Sequence, residues 1–268
     1  MLSLPLPDAS SLRLPVGAGF SQAPRRAVAR RCLWKEDHGE SSSSLVSYPT
    51  DVLRAVQNSG VIACLRADSM ELAVEAARAA LSGGISLLEI IISTPGVFEA
   101  IQELVREYPS SLIGAGTVLC SKDAEHAVQA GAKFLLSPAT IKDIIGDLRS
   151  SSVLYLPGVM TPTEVLTAYV EGARAVKVYP VSLLGGPQYI SALKKPFPNI
   201  PMVASQGITI DSIEQYIHCG ASAVVLSDAI FNKVSVRQRD FDRICQLARD
   251  SVSRASNAMQ RYSTANYE

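Results

Sequence analysis

From residue 60 onward the apolar positions gather into short runs, each followed by a stretch in which they recur at the three- and four-residue spacing of a helix. The runs cover 61–66, 87–93, 112–119, 134–138, 153–159, 175–181, 202–207 and 223–230, and their starts recur every 19 to 27 residues. That interval is the length of one strand-and-helix unit. The runs are apolar on both faces, as strands of a parallel sheet covered by helices must be. Helices are predicted over 70–81 and 161–170, and a last amphipathic helix over 236–259, with a frayed tail at 262–268. Eight such units predict an α/β fold, a closed (β/α)8 TIM barrel. The open doubly wound sheet is the alternative, but it would bring a glycine-rich turn after the first strand, and Leu65-Arg66-Ala67-Asp68-Ser69 contains no glycine.

In a barrel of this kind chemistry sits where strands run out into the following loops, so polar residues late in an apolar run are the candidates. Arg66, Glu89, Thr117 and Lys177 meet that condition, and Ser205, Gln206, Ser227 and Asp228 meet it more weakly. Lys177 lies in Ala175-Val176-Lys177-Val178-Tyr179-Pro180, where the two-residue period puts Lys177 and Tyr179 on one face and the two valines on the other. If the valines meet the helices, Lys177 points into the barrel. There an ammonium loses hydration, its pKa falls, and the neutral amine can form a Schiff base with a ketone. The plainer reading is a lysine paired with an acid or reaching from a strand end to water. Glu89 interrupts an otherwise apolar strand and needs a partner, for which Lys177 is the expected one, either as a proton shuttle or as a structural ion pair. Gly114-Ala115-Gly116-Thr117 offers close backbone approach and then a hydroxyl, and Arg66 offers a guanidinium suited to a carboxylate.

Composition narrows the field. Lys+Arg 25 against Asp+Glu 25 gives no net basic field for a nucleic-acid backbone or an anionic membrane, and no apolar run is long enough to span a bilayer. A small-molecule partner is expected. The five cysteines, Cys32, Cys64, Cys120, Cys219 and Cys245, are scattered, and the three histidines suggest neither a metal site nor histidine catalysis. The neutral balance hides a split, because residues 1–35 carry Arg13, Arg25, Arg26, Arg30, Arg31 and Lys35 against Asp8 alone. With its serines and alanines and without a secretory apolar core, this segment reads as an organelle transit peptide, plastid (chloroplast) ahead of mitochondrion. A basic tail without address is the alternative. The organisation expected is a disordered leader at 1–45, one barrel domain at 46–258 and a flexible tail at 259–268.

Taken in order, these segments resemble the 2-keto-3-deoxy-6-phosphogluconate and 4-hydroxy-2-oxoglutarate (KDPG/KHG) aldolases, class I lyases built on a (β/α)8 barrel, here in what looks like a plant plastid-type homologue. The likeness spans about residues 50–250. It rests on Val61-Ile62-Ala63-Cys64-Leu65-Arg66, Leu88-Glu89-Ile90, Gly114-Ala115-Gly116-Thr117-Val118, Ser137-Pro138, Pro157-Gly158-Val159-Met160-Thr161-Pro162, Val176-Lys177-Val178-Tyr179-Pro180 and Gly186-Pro187-Gln188. The resemblance implies Lys177 as the Schiff-base lysine, Glu89 as general acid and base, and Arg66 with Thr117 as the groups that bind the pyruvate carboxylate. It places Tyr179, Pro138 and Pro157 in the lining of the site. It also implies a homotrimer that needs no metal or organic cofactor.

Two segments depart from the family pattern. The usual Pro-Thr-Gly-Gly after the seventh strand, whose backbone holds a substrate phosphate, reads Ala204-Ser205-Gln206-Gly207, and the usual Gly-Ser after the eighth reads Ser227-Asp228. A carboxylate about 4 Å from a phosphate costs roughly 4 kcal/mol per charge pair at an effective dielectric near 20. Ser205, Gly207 and Asp228 are therefore expected at an altered distal end of the site. The expected activity is cleavage of a 4-hydroxy-2-oxo acid to pyruvate and an aldehyde, with 4-hydroxy-2-oxoglutarate suiting the eroded phosphate site better than 2-dehydro-3-deoxy-6-phosphogluconate. The alternative is a barrel without turnover that binds small oxo acids or serves as a scaffold.

Overall fold

A computed structural model of the chain describes residues 50–265. The leader expected at 1–45 and the last residues of the expected tail lie outside the described residues. The apolar runs become β1 (Val61–Leu65), β2 (Leu87–Ile91), β3 (Leu112–Gly116), β4 (Phe134–Leu136), β5 (Leu154–Leu156), β6 (Gly158–Val159), β7 (Val176–Val178), β8 (Met202–Ser205) and β9 (Ala223–Leu226). All neighbours pair in parallel, in the order β5-β4-β3-β2-β1-β9-β8-β7-β6. The two ends of that order, β5 and β6, are joined by Pro157 alone, so the sheet closes on itself and the fold is the (β/α)8 barrel.

The run at 153–159, read as one strand, is thus split in two. Pro157 has no N–H to give to a ladder, and its carbonyl accepts from the Lys177 N–H at 2.8 Å. Gly158 follows because nothing larger fits: a Cβ there would lie 2.2 Å from the Pro138 carbonyl. Other ladders also end before their apolar runs do, β1 at Leu65, β3 at Gly116, β7 at Val178 and β9 at Leu226. Beyond each end the chain turns away, through a left-handed Thr117 after β3 and a cis Tyr179–Pro180 peptide after β7.

Two apolar layers result. Between strands and helices lie Val61, Ala63 and Leu65 of β1 and Val176 and Val178 of β7, so these valines do meet the helices. Inside the barrel lie Ile62 and Cys64 of β1, Leu87 and Ile91 on either side of Glu89, and Phe134. The lower end of this interior is closed by a helix that the periodicity from residue 60 onward does not reveal, Thr50–Ser59, whose Val56 is fully buried with Val52 and Leu53 packed beside it. The C-terminal helix runs Phe241–Ala265, beginning after 236 and continuing past Met259 into the segment expected to fray. It packs against the helices Met70–Ser82 and Ile213–His218, where Ile244, Ala248 and Ala255 are fully buried. Among the described residues no helix is long and apolar enough to cross a membrane.

Candidate active site

Glu89 sits at the centre of β2, in register with Cys64 on β1 and Gly114 on β3, and is only 2% exposed. Its space is made by a missing side chain. A Cβ on Gly116 would come within 2.8 Å of Glu89 Oε1 and 2.9 Å of its Cδ, which gives the second glycine of Gly114-Ala115-Gly116 a steric reason. Lys177 lies in register with Gly158 on β6 and Val203 on β8 and is 6% exposed. Its Nζ stands 5.1 Å from the centre of the Tyr179 ring, so lysine and tyrosine share the inner face as the strand period predicts.

The two groups face each other without touching. Glu89 Oε2 is buried and accepts no hydrogen bond, and no ion pair within 4.0 Å joins it to Lys177. The ion pairs among the described residues are surface ones such as Arg78–Glu103 and Lys142–Glu171. Direct Lys177–Glu89 pairing, expected from sequence, is therefore corrected. The cause is topological: β1, β9 and β8 stand between β2 and β7 in the barrel order, which sets the two side chains across the lumen. Burial pushes the Lys177 ammonium below its ordinary value, opposed by the negative charge of Glu89 and then by Cys64. Burial likewise raises Glu89, opposed by the charge of Lys177 and by hydrogen bonding to Cys64. The barrel thus favours a free amine on one wall and a protonatable carboxyl on the other.

Around this pair the other candidates sort by what the structure does with them. Thr117, half-buried, directly follows the glycine that abuts Glu89 and holds φ at 60°, a strained region for a β-branched side chain. Arg66 is exposed at the mouth, continuing the inward phase of Ile62 and Cys64, and takes no ion-pair or hydrogen-bond partner among the described residues. Pro157 is buried at the strand break, and Pro138 is held against Gly158, the register partner of Lys177. Ser205 is buried, in phase with the inward Val203. Gly207 is exposed with φ +72°. Asp228 is exposed in the turn after β9, and no hydrogen bond or ion pair links it to the other candidates.

Two residues escape a sequence reading of the site. Cys64 lies in the lumen, its thiol raised well above its ordinary value by burial and by the neighbouring Glu89 charge, opposed by the charge of Lys177 and by Ser227. Its phase, two residues before Arg66, was the available signal. Ser182, on the turn Val181–Leu184, gave none, and its hydrogen bond to Gln206 appears only when the chain folds it against the loop after β8. Two surface cavities, one of about 30 Å³ beside Arg149 and one of about 410 Å³ beside Lys194 and His218, include none of the candidates. The lysine and glutamate are instead buried inside the barrel. Among the described residues no cluster of three His, Cys, Asp or Glu side chains is placed to hold a metal ion.

Comparison with known proteins bears on this arrangement directly. Residues 52–247 match the family model described as KDPG and KHG aldolase. The 2-dehydro-3-deoxy-phosphogluconate aldolase of Treponema pallidum is 30% identical over 207 residues, covering 75% of this chain and 96% of that protein. That of Pseudomonas aeruginosa is 32% identical over 178 residues, 66% of this chain and 81% of the relative. Among solved structures, the KDPG aldolase of Legionella pneumophila, with pyruvate captured at low pH as a covalent carbinolamine intermediate, superposes with a TM-score of 0.69 at 27% identity. It covers 74% of this chain and 96% of its own. A closed parallel barrel with a lysine and a glutamate buried across its lumen, matched over most of its length, places the chain in the KDPG and KHG aldolase family, and makes it an aldolase, a lyase.

Proposed function

We propose that the protein cleaves a 4-hydroxy-2-oxo acid to pyruvate and an aldehyde by way of an imine on Lys177. The observation that carries this reading is a buried amine, its basicity lowered by burial, set across the barrel from a buried carboxyl whose acidity burial lowers as well. The Lys177 amine adds to the C2 ketone to give a carbinolamine, and Glu89, as the acid, donates the proton with which the C2 hydroxyl leaves as water. The Glu89 carboxylate so formed takes the proton of the C4 hydroxyl. The C3–C4 bond then breaks, its electron pair passes into the imine as an enamine, and the aldehyde departs. Glu89 returns the proton to C3, and water releases pyruvate and the free amine. Arg66 and Thr117 hold the C1 carboxylate through these steps, while Tyr179, Pro138 and Pro157 line the pocket. The carbinolamine of pyruvate in the Legionella enzyme supports the first covalent step.

The aldehyde we assign is glyoxylate, from 4-hydroxy-2-oxoglutarate. Ser205, Gly207 and Asp228 mark the distal end, where the altered loop and the added carboxylate disfavour a phosphorylated substrate. A homotrimer is proposed as well, and the apolar side chains left exposed on the helix Pro162–Glu171 and the turn after β7 support it: Val170 is 68% and Leu183 78% exposed. Sedimentation equilibrium measures that state.

The reaction is tested by incubating the protein with pyruvate and borohydride and mapping the adduct by mass spectrometry. A reduced pyruvyl group on Lys177 is expected. Labelling of another lysine, or of none, ends the imine reading. The basic segment at 1–45 is proposed to direct the chain to a plastid, and a reporter fused to residues 1–50 is expected to enter that organelle. A reporter that stays in the cytosol would show that the segment carries charge and no address.

A further inference from the structure

Gln206 carries the clearest unexplained strain in the barrel mouth. Among the described residues only Thr117, Gln206 and Arg239 hold positive φ without being glycine. Arg239 has its guanidinium 2.6 Å from Glu75 in an exposed ion pair, and Thr117 has its place in the proposed carboxylate site. Gln206 stands at φ 86°, directly after Ser205, the last residue of β8, where glycine would rest more easily. The next position, Gly207, is also left-handed but admits no side chain, since a Cβ would lie 2.3 Å from Ser182 Oγ. Of two adjacent left-handed positions, one excludes a side chain and the other keeps one at a conformational cost. That pattern points to the glutamine side chain itself.

Its hydrogen bonding shows what it can recognise. The Ser182 hydroxyl donates to Gln206 Oε1 at 2.5 Å. The amide carbonyl is thereby occupied, and the two N–H groups of Nε2 have no partner among the described residues. An amide fixed through its oxygen presents donors alone, which suits an acceptor such as a carboxylate oxygen. Ser182 also fills the space over Gly207, against the loop backbone that would have to approach a bulkier anion. The position fits the distal end of a bound oxo acid. Val203 is the register partner of Lys177, and Gln206 follows three residues later, just past the end of β8 on the mouth side.

We propose that Gln206 determines specificity by donating its amide N–H groups to the distal carboxylate of a five-carbon 4-hydroxy-2-oxo diacid, with Ser182 as the positioning residue that orients it. The proposal rests on the imine reading above and deepens it. It is tested with Gln206→Ala, Gln206→Gly and Ser182→Ala in two assays on the full chain: cleavage of 4-hydroxy-2-oxoglutarate, and exchange of the pyruvate methyl hydrogens in heavy water. Pyruvate forms the imine but has no distal group. Both Gln206 variants are expected to lose about 10- to 100-fold in kcat/KM on the diacid, mainly through KM, as loss of hydrogen bonds to a charged group should. Ser182→Ala is expected to show a smaller loss of the same kind. In all three, pyruvate exchange should stay at the wild-type rate. Gln206→Gly relieves the backbone strain, so misfolding cannot account for its loss. Unchanged diacid kinetics in the Gln206 variants, or a parallel fall in pyruvate exchange, overturns the specificity role. If the wild type exchanges no pyruvate hydrogens, the imine reading fails and this proposal fails with it.

Discussion

Replacing Lys177 with methionine is expected to abolish cleavage, borohydride trapping and pyruvate hydrogen exchange together, while the barrel still folds. The side chain that occupies the lumen is then of similar length but has no amine to attack a carbonyl. The same change should alter how stability depends on pH. Glu89 already has a folded pKa above its ordinary value because it is buried, and the charge of Lys177 is the main force holding it down. Without that charge its folded pKa rises further. A carboxyl whose folded pKa exceeds its unfolded one binds more protons in the native state across the window between them, so stability falls as pH rises through that window. Within it the slope approaches about 1.4 kcal/mol per pH unit. The lysine contributes in the same sense. Its folded pKa is depressed, so its burial penalty in the wild type is complete below that folded value and fades as pH rises from it to the unfolded one, and Lys177→Met removes it. Relative to wild type, the variant should therefore melt highest near pH 5 and lose ground as pH rises. Adding Glu89→Gln to it should flatten that dependence. A melting difference constant from pH 5 to 8 would mean that the two groups do not sense each other across the barrel.

Much of this arrangement was legible in the sequence because a parallel barrel writes itself as repeated apolar runs, and because a two-residue period decides which side chains face inward. Val176 and Val178 meet the helices and Lys177 and Tyr179 the lumen, as that period requires. What stayed hidden depends on groups distant in sequence. The distance between Lys177 and Glu89 follows from the order of strands round the barrel, which no local pattern encodes. The break at Pro157 reflects the demand of Pro138 on Gly158 as much as proline's missing N–H. The strained backbones of Thr117 and Gln206 are invisible in a pattern that marks left-handed positions by glycine. The plug Thr50–Ser59 was missed because it precedes the first strand and belongs to no repeat.

Glu89→Gln is expected to lower turnover by about 10²- to 10⁴-fold, the usual worth of a positioned acid and base. Glutamine keeps the shape that Gly116 makes room for, so the loss reports chemistry rather than packing. Lys177 remains nucleophilic, and its amine loses the neighbouring charge that favours protonation, so attack on the ketone is still possible. Dehydration of the carbinolamine and removal of the C4 proton, by contrast, have no group to serve them. Trapping of pyruvate by borohydride should therefore proceed slowly to the same Lys177 adduct, while pyruvate hydrogen exchange and diacid cleavage fall together. The pH profile should change as well. In the wild type the limb belonging to Glu89 should stand above the ordinary carboxylate range, since burial raises that group, and in the variant it should disappear. Turnover that survives Glu89→Gln unchanged, with both limbs of the profile intact, would make this carboxyl a buried structural group and leave the proton transfers to water or to the Cys64 thiol beside it.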